Sequence, residues 1–327
     1  MRDTWSAYEL VEAFHLSRAV SALHEMGMLA SLTEPATAQT LAERYGTDAT
    51  VLEKILDYVA ARTNLLRKAG RKFVATDQYS SASCFLLDLY MGAYGQPAAQ
   101  LPRILRRPST AARLVDRNMY AKAFQHAGDS VLGALVQLIV QLRFNHVLDL
   151  GCGPAALLMA LARQRPRLIG WGVEMNPAMH RLARTRIRDA RLTARIRIFK
   201  GDCRTLRSVL PPRVIEHIDV AVASQVANEM FAGGLNTAVA WMRQIRRALP
   251  GRHLLISDYY GRLGRTAAPP SRETLLHDYA QLISGQGIPP PNAAPWNEIY
   301  SQSNCRLLHV IEDKTTSRFI HLVKLED

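Results

Sequence analysis

Four acidic side chains stand at or just beyond the ends of short apolar runs, where a twisted parallel sheet presents its chemistry. In VLDLGCGPAAL (147–157), Asp149 stands at the end of one run, and Gly151 and Gly153 follow after Leu150. Glycines at that point permit a tight turn and let a ligand approach the backbone closely. Glu174 ends WGVEMNP, placed to accept hydrogen bonds from two ribose hydroxyls. In KGDC, Asp202 is placed to take an adenine amino group, while Cys203 offers a backbone N–H. Glu229 follows the fourth run, in SQVANEM. A dinucleotide site would continue the glycines as G-x-G-x-x-G, and Ala156 fills the third position. Asp149 separates the readings, because a carboxylate there repels pyrophosphate and suits the ammonium of an amino-acid ligand.

The elements that must position these residues are legible from periodicity. HVLDL, LIGWGVE, RIRIFK, DVAVAS and HLLISDY alternate with helical stretches, as in a parallel sheet covered on both faces. CRLLHVIED and TSRFIHLVKL then read as an antiparallel hairpin turning at Asp313–Lys314. Upstream, Leu10, Phe14, Leu16, Val20 and Leu23 recur at helical spacing until Gly27. Thr37 is placed to cap a second helix, and Asp48 or Thr50 a third with the stripe Leu52, Ile55, Leu56 and Val59. LLRKAGRKFVAT reads as strand, turn at Gly70, strand, giving a winged-helix pattern. The expected organisation is a winged-helix-like domain at 1–78, a helical linker or lid at 79–145, and an α/β domain at 146–327.

Composition bounds the function. An apolar fraction of 48% with 21% charged residues excludes wholesale disorder. The formal charge is +13, and only 7 of the 41 basic residues are lysines. Such an excess admits nucleic acid, an anionic membrane surface or acidic small molecules as partners. Asp3, Glu9, Glu12, Arg18 and Glu25 interrupt the first stretch, so no signal-peptide core is expected. The longest apolar stretch, 131–142, is too short to span a bilayer. Cys84, Cys152, Cys203 and Cys305 are scattered without metal-ligand spacing, which suits a reducing cytoplasm and a protein with no resident metal.

On the linked motifs VLDLGCGPAAL, WGVEMNP, KGDC and SQVANEM, the chain resembles the class I S-adenosylmethionine-dependent methyltransferases over about 180 residues. The resemblance implies a Rossmann-like seven-stranded sheet of five parallel βα units closed by the hairpin. It implies S-adenosyl-L-methionine as cofactor, held by Asp149, Gly151, Gly153, Glu174, Met175, Asp202, Cys203, Ser224 and Gln225. With its N-terminal module, the chain looks like the dimeric small-molecule O-methyltransferases of secondary metabolism. In that family the winged module pairs two subunits rather than reading DNA, so a homodimer is implied and nucleic acid and membrane partners are not. The segment RNMYAKAFQHAGDS resembles the helix covering the methyl donor, which implies Met119, Tyr120 and Phe124 as lid residues, Tyr120 toward the donor and Phe124 toward the acceptor. GQGIPPPNAAPW is expected to close one wall of the acceptor pocket, with Tyr279 or Trp296 as an apolar contact.

The family's base is a histidine in a pattern like H-D/E-W, and this chain has Asn228-Glu229-Met230 there. Asparagine takes no proton at neutral pH, so Glu229 and His277 become the candidates beside Asn228 itself. Asp258, Tyr259, Tyr260 and Asp278 lie in the same region. Losing the histidine keeps carbon and nitrogen acceptors open, for example an α-keto acid or an aromatic ring. A nucleic-acid enzyme of this fold would carry N/D-P-P-Y/F or a Pro-Cys pair, and neither occurs in the expected place. A non-enzymatic scaffold would leave the intact acidic and glycine positions unexplained. Seven of the 34 arginines fall between Arg181 and Arg197, on a helix and strand start expected to face solvent.

Overall fold

The computed structural model describes residues 4–126, 132–264, 271–313 and 316–327. Lys314 of the expected hairpin turn, and 127–130 at the end of the expected lid segment, lie outside the described residues. The chain forms two compact units, Met1–Gly95 with Lys122–Gly128, and Gln96–Ala121 with Asp129–Asp327.

In the first unit, helix Ala7–Glu25 begins in a capping box in which Ser6 and Glu9 satisfy each other's backbone N–H groups. It stops before Gly27, which turns the chain at φ +77°. Helix Ala38–Tyr45 is capped by Thr37, and Ala49–Arg62 by Asp48 rather than Thr50. The wing has one strand more than expected. β1 (Ala36–Thr37) pairs with β3 (Lys72–Ala75), which also pairs with β2 (Leu66–Ala69) across the turn at Gly70. Val20, Leu23, Leu41, Leu56, Val59 and Phe73 form this unit's core. Leu10 and Phe14, expected on the same stripe, are instead 58% and 61% exposed. A seven-residue π-helical turn, Leu87–Ala93, widens the backbone and carries Asp88 into a fully buried position. There Asp88 meets His24 Nε2 at 2.9 Å and Lys122 Nζ at 2.8 Å.

The second unit is built on a seven-stranded sheet. Its strands are β4 (His146–Leu150), β5 (Ile169–Glu174), β6 (Ile196–Lys200), β7 (Val220–Ser224), β8 (His253–Tyr259), β9 (Cys305–Asp313) and β10 (Arg318–Leu325). Their order is β6-β5-β4-β7-β8-β10-β9, with β4 to β8 parallel and β10 antiparallel to both neighbours. The Rossmann-like sheet with a terminal hairpin is therefore the observed fold. Side chains alternate between two cores, as the two-residue period of a strand requires. Leu148, Ala221, Leu254 and Ile256 pack into one core with helix Leu235–Ala248 and Trp296. Val147, Val220, Val222 and Leu255 pack into the other with helix Ala156–Gln164. Helix Pro177–Asp189 buries only Met179, Ala183 and Ile187, leaving its arginines on the outer face. Arg195 departs from that pattern, since its Nη1 ties down the carbonyls of Ala162, Arg165 and Pro166. Among the described residues, no helix is long and apolar enough to cross a membrane.

Candidate active site

Strand order reverses at β4, whose neighbours β5 and β7 connect to opposite sides of the sheet, and open α/β sheets bind ligands outside the strand ends at such a point. Asp149 lies one residue from the end of β4 and is 4% exposed. Burial, with Glu174 adding repulsion, pushes its carboxyl up to about 8. The chain then turns through Gly151 at φ +66° and Gly153 at φ +50°. A Cβ on Gly151 would lie 2.7 Å from Val226 Cγ2, so only glycine fits both the angle and the space. Glu174, at the end of β5, accepts from the Gly153 N–H at 2.9 Å and the Asn176 N–H at 2.6 Å. Burial raises its carboxyl, and these bonds and Arg117 oppose the rise. Asn176 caps helix Pro177–Asp189 and also reaches the Arg117 carbonyl. Met175, between them, is 55% exposed.

Past β6, Asp202 caps a short turn and forms an ion pair with Arg204 at 2.7 Å. Burial acts upward on Asp202, but the bonds from the Arg204 side chain and N–H outweigh it and hold the carboxyl below its ordinary value. Cys203 is buried beside it, its thiol pushed up to about 12 by burial. At the end of β7, Ser224 is partly exposed, and Gln225 adopts φ +54° while its N–H donates to the Ser257 carbonyl. A non-glycine residue in the left-handed region marks local strain of the kind that collects at functional sites. Ala155, opening the helix after β4, shares it at φ +61°.

The turn after β7 carries Asn228, 3% exposed, whose N–H donates to Asp258 Oδ2 at 2.9 Å. Burial raises Asp258 to about 7 against the two backbone N–H bonds it accepts. Glu229 accepts from Gln286 Nε2 at 3.1 Å, and burial raises its carboxyl. Arg117 and Arg204 pull Glu229 down while Glu174 and Asp202 push it up, so these five charges share one neighbourhood. The structure thus gathers Asp149, Gly151, Gly153, Glu174, Asp202, Asn228 and Glu229 at the strand ends.

The remaining expected site residues lie on other elements. His277 lies on helix Arg272–Ile283, its ring 4.8 Å from that of Tyr259, and burial drives it down to about 4. Asp278 beside it is fully buried and accepts the Arg262 and Leu263 N–H groups, which is a loop-fastening role. Among the described residues, no group of three or more His, Cys, Asp or Glu side chains converges to hold a metal. Trp296 was expected at the edge of a loop. It sits inside helix Ala293–Gln302 at 1% exposure, packed on Phe231 and Phe319, because its indole fills the sheet-facing core. Tyr279 points outward at 39% exposure. Phe124 belongs to the first unit, where it packs edge-on to Phe85, and Tyr120 lies on the same helix, Arg117–His126, within the second.

Arg117, Arg204 and Gln286 were not anticipated. Arg204 had a local signal, two residues after Asp202. Arg117 and Gln286 fall in the segments expected to cover the donor and to wall the acceptor pocket, but neither side chain was singled out, because each reaches the strand ends from a distant part of the chain.

Residues 147–250 match the family model of the methyltransferase domain. Among solved structures, mitomycin 7-O-methyltransferase is similar at a TM-score of 0.78 and 19% identity, covering 97% of this chain and 96% of its own. Human N-acetylserotonin methyltransferase in complex with S-adenosylmethionine is similar at 0.73 and 16%, over 100% of both chains. An O-methyltransferase family protein from Burkholderia thailandensis aligns at 0.73 and 18%, over 99% of each. At these identities the likeness is one of fold.

Proposed function

We propose that this chain, a class I S-adenosylmethionine-dependent methyltransferase, moves the methyl group to an oxygen of a small-molecule acceptor in secondary metabolism. The observation that carries the reading is the placement of Asp149, Glu174 and Asp202 on three successive strand ends around the Gly151–Gly153 turn. These residues fit the donor. A buried carboxylate with a raised pKa, such as Asp149, is satisfied by an ammonium group. Glu174 offers acceptor oxygens to a ribose and Asp202 to an adenine amino group, while Met175, Cys203, Ser224 and Gln225 line the same ends, with Tyr120 from the helix nearby. When bound, S-adenosylmethionine supplies an electrophilic methyl on a sulfonium.

The chain's own contribution is to orient the acceptor and take its proton. Alignment of reacting groups is worth roughly 7–11 kcal/mol in favourable cases. Glu229 is the carboxylate suited to the proton, because burial raises it toward neutrality and Gln286 fixes its direction. Asn228 orients the acceptor, and His277 serves the wall beside Tyr259. Incubation with S-adenosylmethionine and a panel of phenols, amines and carbon acids tests the reading by mass spectrometry. Methylated oxygen is expected. Product on nitrogen or carbon alone overturns the oxygen assignment, and failure to bind S-adenosylmethionine overturns the whole reading. Carbon or nitrogen transfer is the second reading, favoured by the asparagine at 228.

The active form is a homodimer. Tyr8, Leu10, Val11 and Phe14 expose one long apolar face on the first helix, with exposed Trp5 just ahead of its cap. A 470 Å³ groove lined by Ala19, Val51, Ile55 and Tyr58 continues it. Winged-helix-like pairing at 1–78, a lid at 79–145 and catalysis at 146–327 are the corresponding division of labour. The four cysteines are free, which suits the cytoplasm.

A further inference from the structure

Contacts around the ends of β7 and β8 close on themselves. The Asn228 N–H donates to Asp258 Oδ2, and the next residue, Tyr259, holds its ring 4.8 Å from His277. His277 Nε2 lies 3.5 Å from Gln281 Nε2, one helical turn on. The Gln281 carbonyl accepts the Gln286 N–H at 3.0 Å, and Gln286 Nε2 returns to Glu229, the neighbour of Asn228. Three segments distant in sequence therefore form one polar collar.

The collar carries surplus acceptors. Asn228, Gln281 and Gln286 are 3%, 4% and 6% exposed, and the side-chain amide oxygen of each is buried without a hydrogen-bond partner. For Gln286 the orientation is set, because its nitrogen faces a carboxylate. Buried polar atoms in folded proteins are almost always paired, so three unpaired oxygens around one ring call for an explanation. Oxygens of this kind need donors, and among the described residues these three find none. Gln286 also sits between Gly285 at φ +78° and Gly287 at φ +83°, and a Cβ at 287 would lie 2.5 Å from the Phe231 backbone, so close packing of this turn holds the Gln286 side chain in place.

We propose that this collar recognises the methyl acceptor and selects molecules bearing a second hydrogen-bond donor, a hydroxyl or an N–H, beside the methylated group. The proposal rests on the methyltransferase reading and names the acceptor class of that site. Gln281 and Gln286 are its specificity-determining residues. A site built to bond a donor discriminates strongly against an analogue that lacks it.

Two measurements test this. Gln281→Met and Asn228→Leu keep side-chain size and remove the amide oxygen. Asn228→Leu removes an oxygen with no partner among the described residues, while Gln281→Met also gives up the 3.5 Å contact of its nitrogen with His277 Nε2, so the melting temperature of the ligand-free protein is expected to hold in the first and to fall little in the second. In parallel, catechol and 2-aminophenol are compared as acceptors with guaiacol and 2-(dimethylamino)phenol, in which the second donor is capped. Wild type is expected to favour the donor-bearing member by at least about tenfold in kcat/KM, and Gln281→Met to bring that ratio toward one. Lowered melting temperatures in both variants with an unchanged ratio overturn the proposal in favour of a structural role. So does S-adenosylmethionine binding with no preference in either pair, absence of turnover included, and the methyltransferase reading then stands. Absence of S-adenosylmethionine binding in wild type removes both.

Discussion

Asp149 is protonated in the ligand-free protein at neutral pH, because burial and Glu174 lift it from 3.8 to about 8. Pairing with an ammonium requires the ionised form, so binding below pH 8 releases a proton. Affinity for S-adenosylmethionine should therefore climb by up to about tenfold per pH unit toward pH 8 and then level. Calorimetry in buffers of different ionisation enthalpy checks this, and Asp149→Asn should flatten the slope. The same shift acts on folding with the sign of a raised acid. Its stabilisation is full below the ordinary carboxylate range and fades as pH rises through about 8. Glu229 belongs to the same scale. Glu229→Gln should lower kcat by roughly 10²–10⁴-fold if it takes the proton, with loss of the acid limb of the pH–rate profile. A rate and profile equal to wild type would assign proton removal elsewhere. Asp149, Glu174 and Asp202 were legible in the sequence because each ends a strand beside a turn. Gln286 and Arg117 were legible only as members of the wall and lid segments, because the Gln286 bond to Glu229 and the field of Arg117 there arise through tertiary folding.

Strands and turns were the most legible elements, and the reason is the two-residue alternation that splits Leu148 from Val147 into separate cores. Gly151 was legible for the same reason, as the residue where a strand must turn. Gly151→Ala should cost about 1–3 kcal/mol through its left-handed backbone, with further loss from the contact at Val226. Thermal melts and S-adenosylmethionine titration should fall together. The π-helical turn at Leu87–Ala93 was not legible, since an inserted residue changes the backbone ladder without changing the apolar pattern. Its consequence is a fully buried Asp88 beside His24 and Lys122. Asp88→Ala removes the carboxylate that His24 Nε2 and the partly exposed Lys122 share, and should destabilise the first unit by about 1–3 kcal/mol. A denaturant midpoint unchanged by this substitution would show that the cluster contributes nothing net. Trp296 was misread because a proline-rich stretch before it resembles a loop. Pro295 lies in the first turn of a helix, where its missing N–H costs nothing, so the chain turns helical there and buries the indole.

For the whole molecule, charge and exposed apolar surface lead to different partners. The arginine excess first pointed to nucleic acid, yet helix Pro177–Asp189 spends it on a solvated face, and Arg195 on three carbonyls. The apolar face of helix Ala7–Glu25 has no such resolution among the described residues. Tyr8, Leu10, Val11 and Phe14 are each more than half exposed, while Val20 and Leu23 further along the same helix are buried. One half of the helix therefore belongs to its own core, and the other half offers a surface that water disfavours. Arg62, bonded to Glu12 at 2.7 Å and 2.8 Å, links this half to helix Ala49–Arg62. A stable interface needs about 800 Å² per partner. Charges placed at its centre should oppose pairing without touching the core. Leu10→Glu with Phe14→Glu should shift the protein from dimer to monomer by light scattering, with the melting temperature of the sheet-bearing unit preserved. A wild-type protein that is monomeric at every concentration would assign the face to another occupant.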